Sequence, residues 1–180
     1  YIILELSSWH LESLHEHKLA PHIALITNVL PDHLNRYKNF DAYIKSKTYI
    51  YKHQTAADTL FLNRNDAISR TLPKPAHSRL ISFAHPRAQP QPVASFIHTE
   101  THAAIAALAQ YLKLPSQKVR AALRSFAGLP GRLEYIATVN GVRFYNDTCA
   151  TQPDAAIYAI ERIKNVILIA GGTDKKLDYT

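Results

Sequence analysis

The sequence lacks several features that are typical of disulfide-rich, membrane-spanning and secreted proteins. Its only cysteine is Cys149, which excludes an internal disulfide and indicates a reducing compartment. No apolar run approaches about 18 residues, so no membrane-spanning helix is predicted. No signal-peptide pattern opens the chain. A composition that is 47% hydrophobic and 19% charged is typical of a globular protein with a substantial core.

Methionine and glycine are also scarce in a way that predicts a fragment. Methionine is absent, and the chain begins at Tyr1 inside a strand-like run. All five glycines follow residue 127, so the earlier part contains no glycine-rich phosphate-binding loop. The chain ends at Thr180, shortly after a glycine turn, where an α/β fold normally continues.

The net charge of +7 is unevenly distributed. Residues 67–133 contain nine lysines or arginines and one acid, Glu100. Such a region is compatible with binding of nucleic acid, with binding of a small ligand that carries phosphate, or with a basic face exposed to solvent. Because the cations form no runs and are not interleaved with aromatic residues, nucleic-acid binding is disfavoured.

Apolar runs alternate with amphipathic segments along the chain. Strands are predicted in "YIILEL", "HIALITNVL", "DTLFLN", "LISF" and "NVILIAGG". The segment "SSWHLESLHEHKLAP" predicts a short helix and a loop, and helices are predicted in "PDHLNRY", "FDAYIKSKTYIYKHQ", "THAAIAALAQYLKL", "SQKVRAALRSF" and "DAAIYAIERI". The segment "LEYIATVNGVRFYND" predicts a hairpin with a type I′ turn at Asn140-Gly141. This order indicates an α/β fold with a mainly parallel sheet and a domain boundary near residue 130.

Polar residues stand where several predicted strands end. Glu5 ends the first strand, Asp32 and His33 follow the second, Asp147 follows the hairpin, and Lys175 follows the last glycine turn. Ligands of such sheets bind at the carboxyl ends of the strands. The sequence therefore predicts a site shared by two domains.

Several stretches occur together in the order of one known family. They are "LELSSWHLE", "TNVLPDHLNRY", "YIKSKTYIY", "GLPGRLE" with "GVRFYNDTCATQPDA", and "LIAGGTDKKLDY". Together they resemble the Mur ligases, ATP-dependent amide-forming enzymes of peptidoglycan synthesis, and in particular the D-glutamate-adding branch. The resemblance implies the later part of the central ATP-binding domain at residues 1–129 and the start of the α/β C-terminal domain at residues 130–180.

The resemblance implies a cytoplasmic, monomeric enzyme that joins D-glutamate to UDP-N-acetylmuramoyl-L-alanine, with neither a nucleic-acid nor a membrane partner. ATP would phosphorylate the substrate carboxylate, and the amine would then displace phosphate from the acyl phosphate. Mg²⁺ is implied because it prefers oxygen ligands and offsets the charge of the transferring phosphoryl group. The fragment is expected to be inactive alone.

By resemblance, three residues surround the metal ions. Glu5 would hold Mg²⁺ between the ATP phosphates, and His33, in the first turn of its predicted helix, would bind a second Mg²⁺. Lys47 would be carbamylated, which replaces a cation by an oxygen ligand. Judged by residue type alone, each is also compatible with an ordinary surface position. Lys45 lies on a different helix face and is expected at the surface, whereas Asp32 suits helix capping as well as catalysis.

Other matched positions imply nucleotide and substrate contacts. The residues implied for ATP are Arg132, Asp147 and His102, and those implied for the substrates are Ser8, Thr151 and Lys175. An arginine fork suits phosphate, and a lysine meets a carboxylate as a point charge. A shift of one residue would exchange Lys175 with Lys176. The Ser8 hydroxyl is alternatively a backbone partner, and Asp147 is alternatively a helix cap.

Some positions depart from the family pattern. Cys149 stands where the family has lysine, His10 where it has glutamine, and Thr99 and His102 where it has two asparagines. A thiol does not replace a permanent cation, and a nucleophilic cysteine needs a base close by, so Cys149 is expected to be a buried or half-buried filler. In the family the second asparagine helps to hold adenine, so its replacement is expected to affect nucleotide binding. These changes are compatible with a divergent enzyme or with a decayed copy.

Two alternative functions stay open. One is another ligase of the superfamily, which adds a different amino acid or adds glutamate to folate, although "NDTCATQPDA" and "GGTDKKLDY" favour the D-glutamate branch. The other is a non-catalytic binding protein that kept the fold. A zinc site at His10, His15 and His17 is disfavoured, because the three lack the i, i+4 spacing of a helical zinc site.

Overall fold

The computed structural model describes residues 2–85, 99–163 and 165–172, and its elements confirm the α/β class. No helix within these ranges is long and apolar enough to span a bilayer. In chain order the elements are α1 (Ser8–Glu16), β1 (Ile23–Ile26), α2 (Phe40–Lys52), β2 (Thr59–Asn63), α3 (Ala67–Thr71), β3 (Arg79–Phe83), α4 (Thr99–Tyr111), α5 (Ser116–Ser125), β4 (Glu134–Val139), β5 (Val142–Asn146) and α6 (Pro153–Arg162).

The main sheet consists of three parallel strands in the order β1-β2-β3. The register places Leu25 beside Phe61 and Phe61 beside Ile81. The central strand β2 is buried at every residue, as expected when helices cover both faces of a parallel sheet. A helix lies in each connection between neighbouring strands, because parallel strands cannot be joined by a tight turn.

Alternate residues of β2 enter two different cores. Leu60 packs with Tyr43 and Tyr51 of α2, whereas Phe61 packs with Ala104 of α4. Successive side chains of a strand point to opposite faces, so α2 and α4 lie on opposite sides of the sheet. The helix α1 packs in turn against α2.

A separate antiparallel hairpin is formed by β4 and β5. Asn140 and Gly141 have φ values of 51° and 80°, the left-handed backbone that a type I′ turn requires at both positions. The predicted hairpin and its turn are therefore confirmed. The domain boundary near residue 130 stays a prediction.

Two predicted strands are wrong. Residues 2–6 and 166–170 have no regular secondary structure, and Ile3 and Ile169 are 86% and 93% exposed. An apolar run becomes a strand only when a neighbouring strand satisfies its backbone groups. Within the described parts of the chain, no strand pairs with either run.

The predicted helix at residues 31–37 is also wrong, because this segment forms turns. His33 has a φ of 54°, a left-handed conformation that interrupts a right-handed helix. His33 therefore does not lie in the first turn of a helix, and Asp32 has no helix to cap. Sequence reasoning also missed α3, although its N-cap Asp66, which accepts a hydrogen bond from Ser69 N at 2.7 Å, was an available signal.

A buried carboxylate fixes the loop before β2. Asp58 is 6% exposed and accepts hydrogen bonds from Thr55 N at 2.6 Å and Thr55 Oγ1 at 2.9 Å. Its other oxygen lies 2.7 Å from His22 Nδ1. The hydrogen bond from the Thr55 backbone is the main cause that lowers the pKa of Asp58 below its ordinary value of 3.8, and the contact with His22 adds to it.

We expect Asp58→Asn to destabilise the fold at neutral pH but not in strong acid. Because the pKa of Asp58 is lower in the folded chain, the charged carboxylate stabilises the fold above the unfolded value. This contribution disappears as the pH falls through the folded value. Urea denaturation should show free energies of unfolding that differ by about 1–3 kcal/mol near neutral pH and converge in acid.

The exposed Glu161 provides the matched control for this measurement. Glu161→Gln removes the same charge without a buried partner network, so the free energy of unfolding should hardly change at any pH. A destabilisation by Asp58→Asn that is constant across the pH range would contradict the assigned role of the Asp58 charge.

Candidate functional site

The turn after β1 holds a buried carboxylate. Asp32 is 6% exposed, and its Oδ1 accepts a hydrogen bond from His33 N at 2.8 Å. Its Oδ2 lies 3.4 Å from His33 Nε2 and accepts a hydrogen bond from Gln152 Nε2 at 2.8 Å. Asp32 thus binds groups from distant parts of the chain, as a buried charge requires.

Lys47 approaches Asp32 from α2. It is half-buried, and its Nζ lies 5.1 Å from the centroid of the Tyr43 ring. Burial lowers the pKa of Lys47, while the negative charges of Asp32 and Glu5 oppose that shift. Lys47 therefore lies in a partly desolvated position within reach of the charges of two carboxylates, whereas Lys45 is exposed.

Asp32, His33 and Lys47 lie together around Tyr43, and the charge of Glu5 also acts on Lys47; we call Glu5, Asp32, His33 and Lys47 the strand-end cluster. Aromatic rings border it, since the His33 ring lies 5.0 Å from Trp9 and 6.2 Å from Tyr43 between centroids. Burial raises the pKa of Tyr43 to about 12, and the charge of Asp32 adds to the shift, so Tyr43 stays a neutral phenol. Glu5 is exposed at the edge of the cluster.

The helix α1 begins just after Glu5 with a capping box. Ser7 Oγ accepts a hydrogen bond from His10 N at 3.4 Å, and His10 Nδ1 accepts one from Ser7 N at 3.1 Å. Histidine thus fills the role that glutamate or glutamine has in this motif. The Ser8 hydroxyl, 1% exposed, has no hydrogen-bond partner in the described part of the chain, and its contact with substrate stays a prediction.

The strand-end cluster offers an incomplete set of metal ligands. Among the described residues, no three or more His, Cys, Asp or Glu side chains are arranged to hold a metal ion. Mg²⁺ prefers oxygen ligands, and an ammonium at Lys47 would repel it. The residues therefore fit Mg²⁺ only when Lys47 carries an oxygen group, as a carbamate would provide.

Arg132 and Asp147 lie in the loops that flank the hairpin. Asp147 Oδ1 accepts a hydrogen bond from Leu133 N at 2.8 Å, and Arg132 Nη1 lies 3.5 Å from the carbonyl oxygen of Cys149. Asp147 therefore does not cap α6, whose N-cap is Gln152. Arg132 is exposed, and the contacts of Arg132 and Asp147 with ATP stay predictions.

Cys149 is exposed, so the expected buried or half-buried packing is wrong. Its Sγ lies 3.9 Å from the carbonyl oxygen of Pro130. A side chain at Gly131, where φ is 71°, would bring its Cβ to 3.0 Å from this sulfur. The thiol therefore packs against the backbone of Gly131, which has no side chain, at the protein surface.

Of the three other predicted contact residues, two lie within the described parts of the chain and one does not. His102 is half-buried on α4, where burial lowers its pKa and the charge of His85 adds to the shift. Thr151 is exposed. Lys175 lies outside the described residues, and the roles of all three with ATP or D-glutamate stay predictions.

Sequence reasoning did not single out two residues that contact the cluster. Tyr43 stands four residues before Lys47, and the i, i+4 spacing on one helix was the available signal. Gln152 directly precedes Pro153, an order typical of a helix start, but nothing in the sequence connects it with Asp32.

Comparison with known proteins gives a consistent assignment. Residues 1–124 match the Mur ligase middle domain. The chain is 32% identical to the UDP-N-acetylmuramoylalanine–D-glutamate ligase of Lachnoclostridium phytofermentans and 34% identical to the protein of that name from Roseiflexus sp. strain RS-1. These alignments cover 98% and 99% of this chain but 44% and 46% of the relatives, so the chain spans less than half of their length.

The structural comparison agrees at the level of the fold. The crystal structure of MurF from Acinetobacter baumannii matches 87% of this chain with a TM-score of 0.63, at 16% identity and over 40% of its own length. The match to the middle domain and the identity to the curated relatives show that the chain belongs to the Mur ligase family.

Proposed function

We propose that the chain forms part of a cytoplasmic, ATP-dependent ligase that adds D-glutamate to UDP-N-acetylmuramoyl-L-alanine. The strand-end cluster carries this proposal, because the charges of two carboxylates act on a half-buried lysine and one of these carboxylates binds an imidazole-bearing residue. The names of the two relatives support the choice of amino acid.

The reaction has two steps that concentrate negative charge. A carboxylate oxygen attacks the terminal phosphorus of ATP, and ADP leaves. The amine nitrogen of D-glutamate then attacks the acyl carbon, gives up a proton, and phosphate leaves with the electrons of the broken C–O bond. Positioned cations and donors stabilise such charge, and the exposed Arg132 would meet phosphate oxygens with its planar guanidinium.

The remaining predicted residues would hold the reactants. Asp147 and His102 would contact the nucleotide, Ser8 and Thr151 would contact the substrates, and Lys175 would meet a carboxylate of D-glutamate. These assignments are supported by the resemblance of the motifs that contain them.

Lys47 has the setting that carbamylation needs. Its Nζ would attack the carbon of CO₂ as an uncharged amine, form an N–C bond and release a proton. Burial lowers the pKa of Lys47, which favours the uncharged amine. Glu5, His33 and the carbamate of Lys47 would hold Mg²⁺, which would offset phosphate charge when bound.

Asp32 would orient His33 within this site. Its Oδ1 binds the backbone N–H of His33 at 2.8 Å, and its Oδ2 lies 3.4 Å from the ring Nε2. A carboxylate beside an imidazole limits the rotation of the ring, as it does for metal-binding histidines.

Lys47→Ala, in the protein expressed from the complete reading frame, should lower D-glutamate-dependent phosphate release by at least about 10²-fold. The assay contains ATP, Mg²⁺, UDP-N-acetylmuramoyl-L-alanine and one amino acid at a time. Lys45→Ala, on the same helix but exposed, should keep the parent rate. Stimulation by a different amino acid alone would refute the proposed substrate, and failure to bind ATP with Mg²⁺ would favour a non-catalytic protein.

A carbamate on Lys47 should give a carbonyl signal in ¹³C NMR spectra after incubation of the protein with ¹³C-bicarbonate. Lys47→Ala should remove the signal and Lys45→Ala should keep it, because only Lys47 is partly desolvated beside carboxylates. The absence of a signal in the parent protein, or its survival in Lys47→Ala, would rule out this modification.

A further inference from the structure

A hydrogen bond joins the strand-end cluster to a residue 120 positions later in the chain. Gln152 Nε2 donates to Asp32 Oδ2 at 2.8 Å. We propose that Gln152 is a positioning residue that fixes the hairpin unit, which we define as residues 130–163, against the strand-end cluster. The bond therefore sets where Arg132 and Asp147 stand relative to His33 and Lys47.

The acceptor side of this bond is costly to leave unsatisfied. Asp32 is 6% exposed, and its Oδ1 already binds the backbone of His33. Oδ2 also lies 3.4 Å from His33 Nε2, but the Gln152 amide makes the shorter contact, and its loss takes a donor from an oxygen that water reaches poorly. The contact is therefore stronger than a hydrogen bond between two exposed side chains.

The donor side indicates that the Gln152 side chain serves this contact and not as a helix cap. Gln152 is the N-cap of α6, with φ −132° and ψ 148°, yet its side chain forms no capping hydrogen bond. Its backbone is fixed, since its carbonyl oxygen accepts from Ala155 N at 3.1 Å and Ala156 N at 3.3 Å. An N-cap position usually carries a short capping side chain, whereas here a longer amide reaches another element.

Gln152 comes shortly after the loops that hold the predicted nucleotide contacts, and these loops are bonded to each other. Cys149 N donates to Gly131 O at 2.9 Å, and Ala150 N donates to Asp147 O at 2.8 Å. Leu133 N donates to the Asp147 side chain at 2.8 Å. These bonds connect residues 131–133 with residues 147–150, so a shift of Gln152 relative to Asp32 moves this whole loop pair.

A second interaction, between α6 and a different part of the chain, involves Tyr158 and Glu100 of α4. Burial raises the pKa of Tyr158, the charge of Arg162 opposes the shift, and the negative charge of Glu100 on α4 adds to it. The middle of α6 therefore lies within reach of the charge of Glu100 on α4. We expect the loss of the Gln152 contact to loosen the start of α6 without releasing the whole hairpin unit.

The chain contains its own pair of probes for this contact. Trp9, the only tryptophan, lies 5.0 Å from the His33 ring. Cys149, the only cysteine, is exposed and stands three residues before Gln152. A fluorophore on Cys149 that accepts energy from Trp9 reports the separation of the hairpin unit from the strand-end cluster.

Gln152→Ala should lower the energy-transfer efficiency and broaden the distribution of Trp9 lifetimes. Gln152→Glu should do so more strongly, because it places a second carboxylate against Asp32. Gln117→Ala, which removes an exposed glutamine of α5, should match the parent. Gln152→Met keeps the side-chain length without a donor and serves if the alanine variant does not fold by circular dichroism.

A double-mutant cycle tests the partner. In an Asp32→Ala background the acceptor is absent, so Gln152→Ala should cause little further change in energy transfer. Unchanged transfer in the Gln152 variants, or fully additive effects of the Asp32 and Gln152 substitutions, would overturn the proposal.

The catalytic consequence rests on the proposed function, whereas the contact does not. In an active parent enzyme, Gln152→Ala should lower kcat or raise the KM for ATP and leave the choice of amino acid unchanged. An inactive parent would count against the proposed function, and the energy-transfer result would still decide the role of Gln152.

Discussion

The site depends on the burial of one carboxylate, that of Asp32. Water reaches its oxygens poorly, so they must accept hydrogen bonds or face cations. The backbone of His33 and the amide of Gln152 supply the bonds, and the charge of Lys47 interacts with the same group. Each partner belongs to a different part of the fold, so the solvation of Asp32 brings the end of β1, the middle of α2 and the start of α6 together.

The same carboxylate shapes the turn that sequence reasoning misjudged. Pro31 and Asp32 are typical of a helix start, but they are equally typical of a turn in which aspartate binds nearby backbone N–H groups. Here Asp32 binds His33 N, the backbone of His33 is left-handed, and His33 O then accepts from Arg36 N and Tyr37 N. Local signals do not separate these outcomes, because the burial of Asp32 depends on residues far along the chain.

Elements whose backbone bonds close within a short segment were predictable. α2, α4 and the β4–β5 hairpin follow from periodicity and from the Asn140-Gly141 turn. The predicted strands β1, β2 and β3 also formed, because they pair with one another. The apolar runs at residues 2–6 and 166–170 did not, because no strand within the described parts of the chain pairs with them. Glu5, His33 and Lys47 came from family motifs, but only the structure shows the charge of Glu5 acting on Lys47. The partner of Gln152 lies too far away in sequence for any local pattern to reveal.

The departures from the family pattern have different physical consequences. At position 10 a ring nitrogen accepts the N–H of Ser7, so histidine preserves the capping box. At position 149 a thiol cannot carry the charge of lysine, and the sulfur is exposed beside Pro130. The guanidinium of Arg132 still lies 3.5 Å from the carbonyl oxygen of Cys149. This region therefore keeps one permanent cation where the family pattern has two. If phosphate binds here as proposed, the planar guanidinium of Arg132 would neutralise a larger share of its charge.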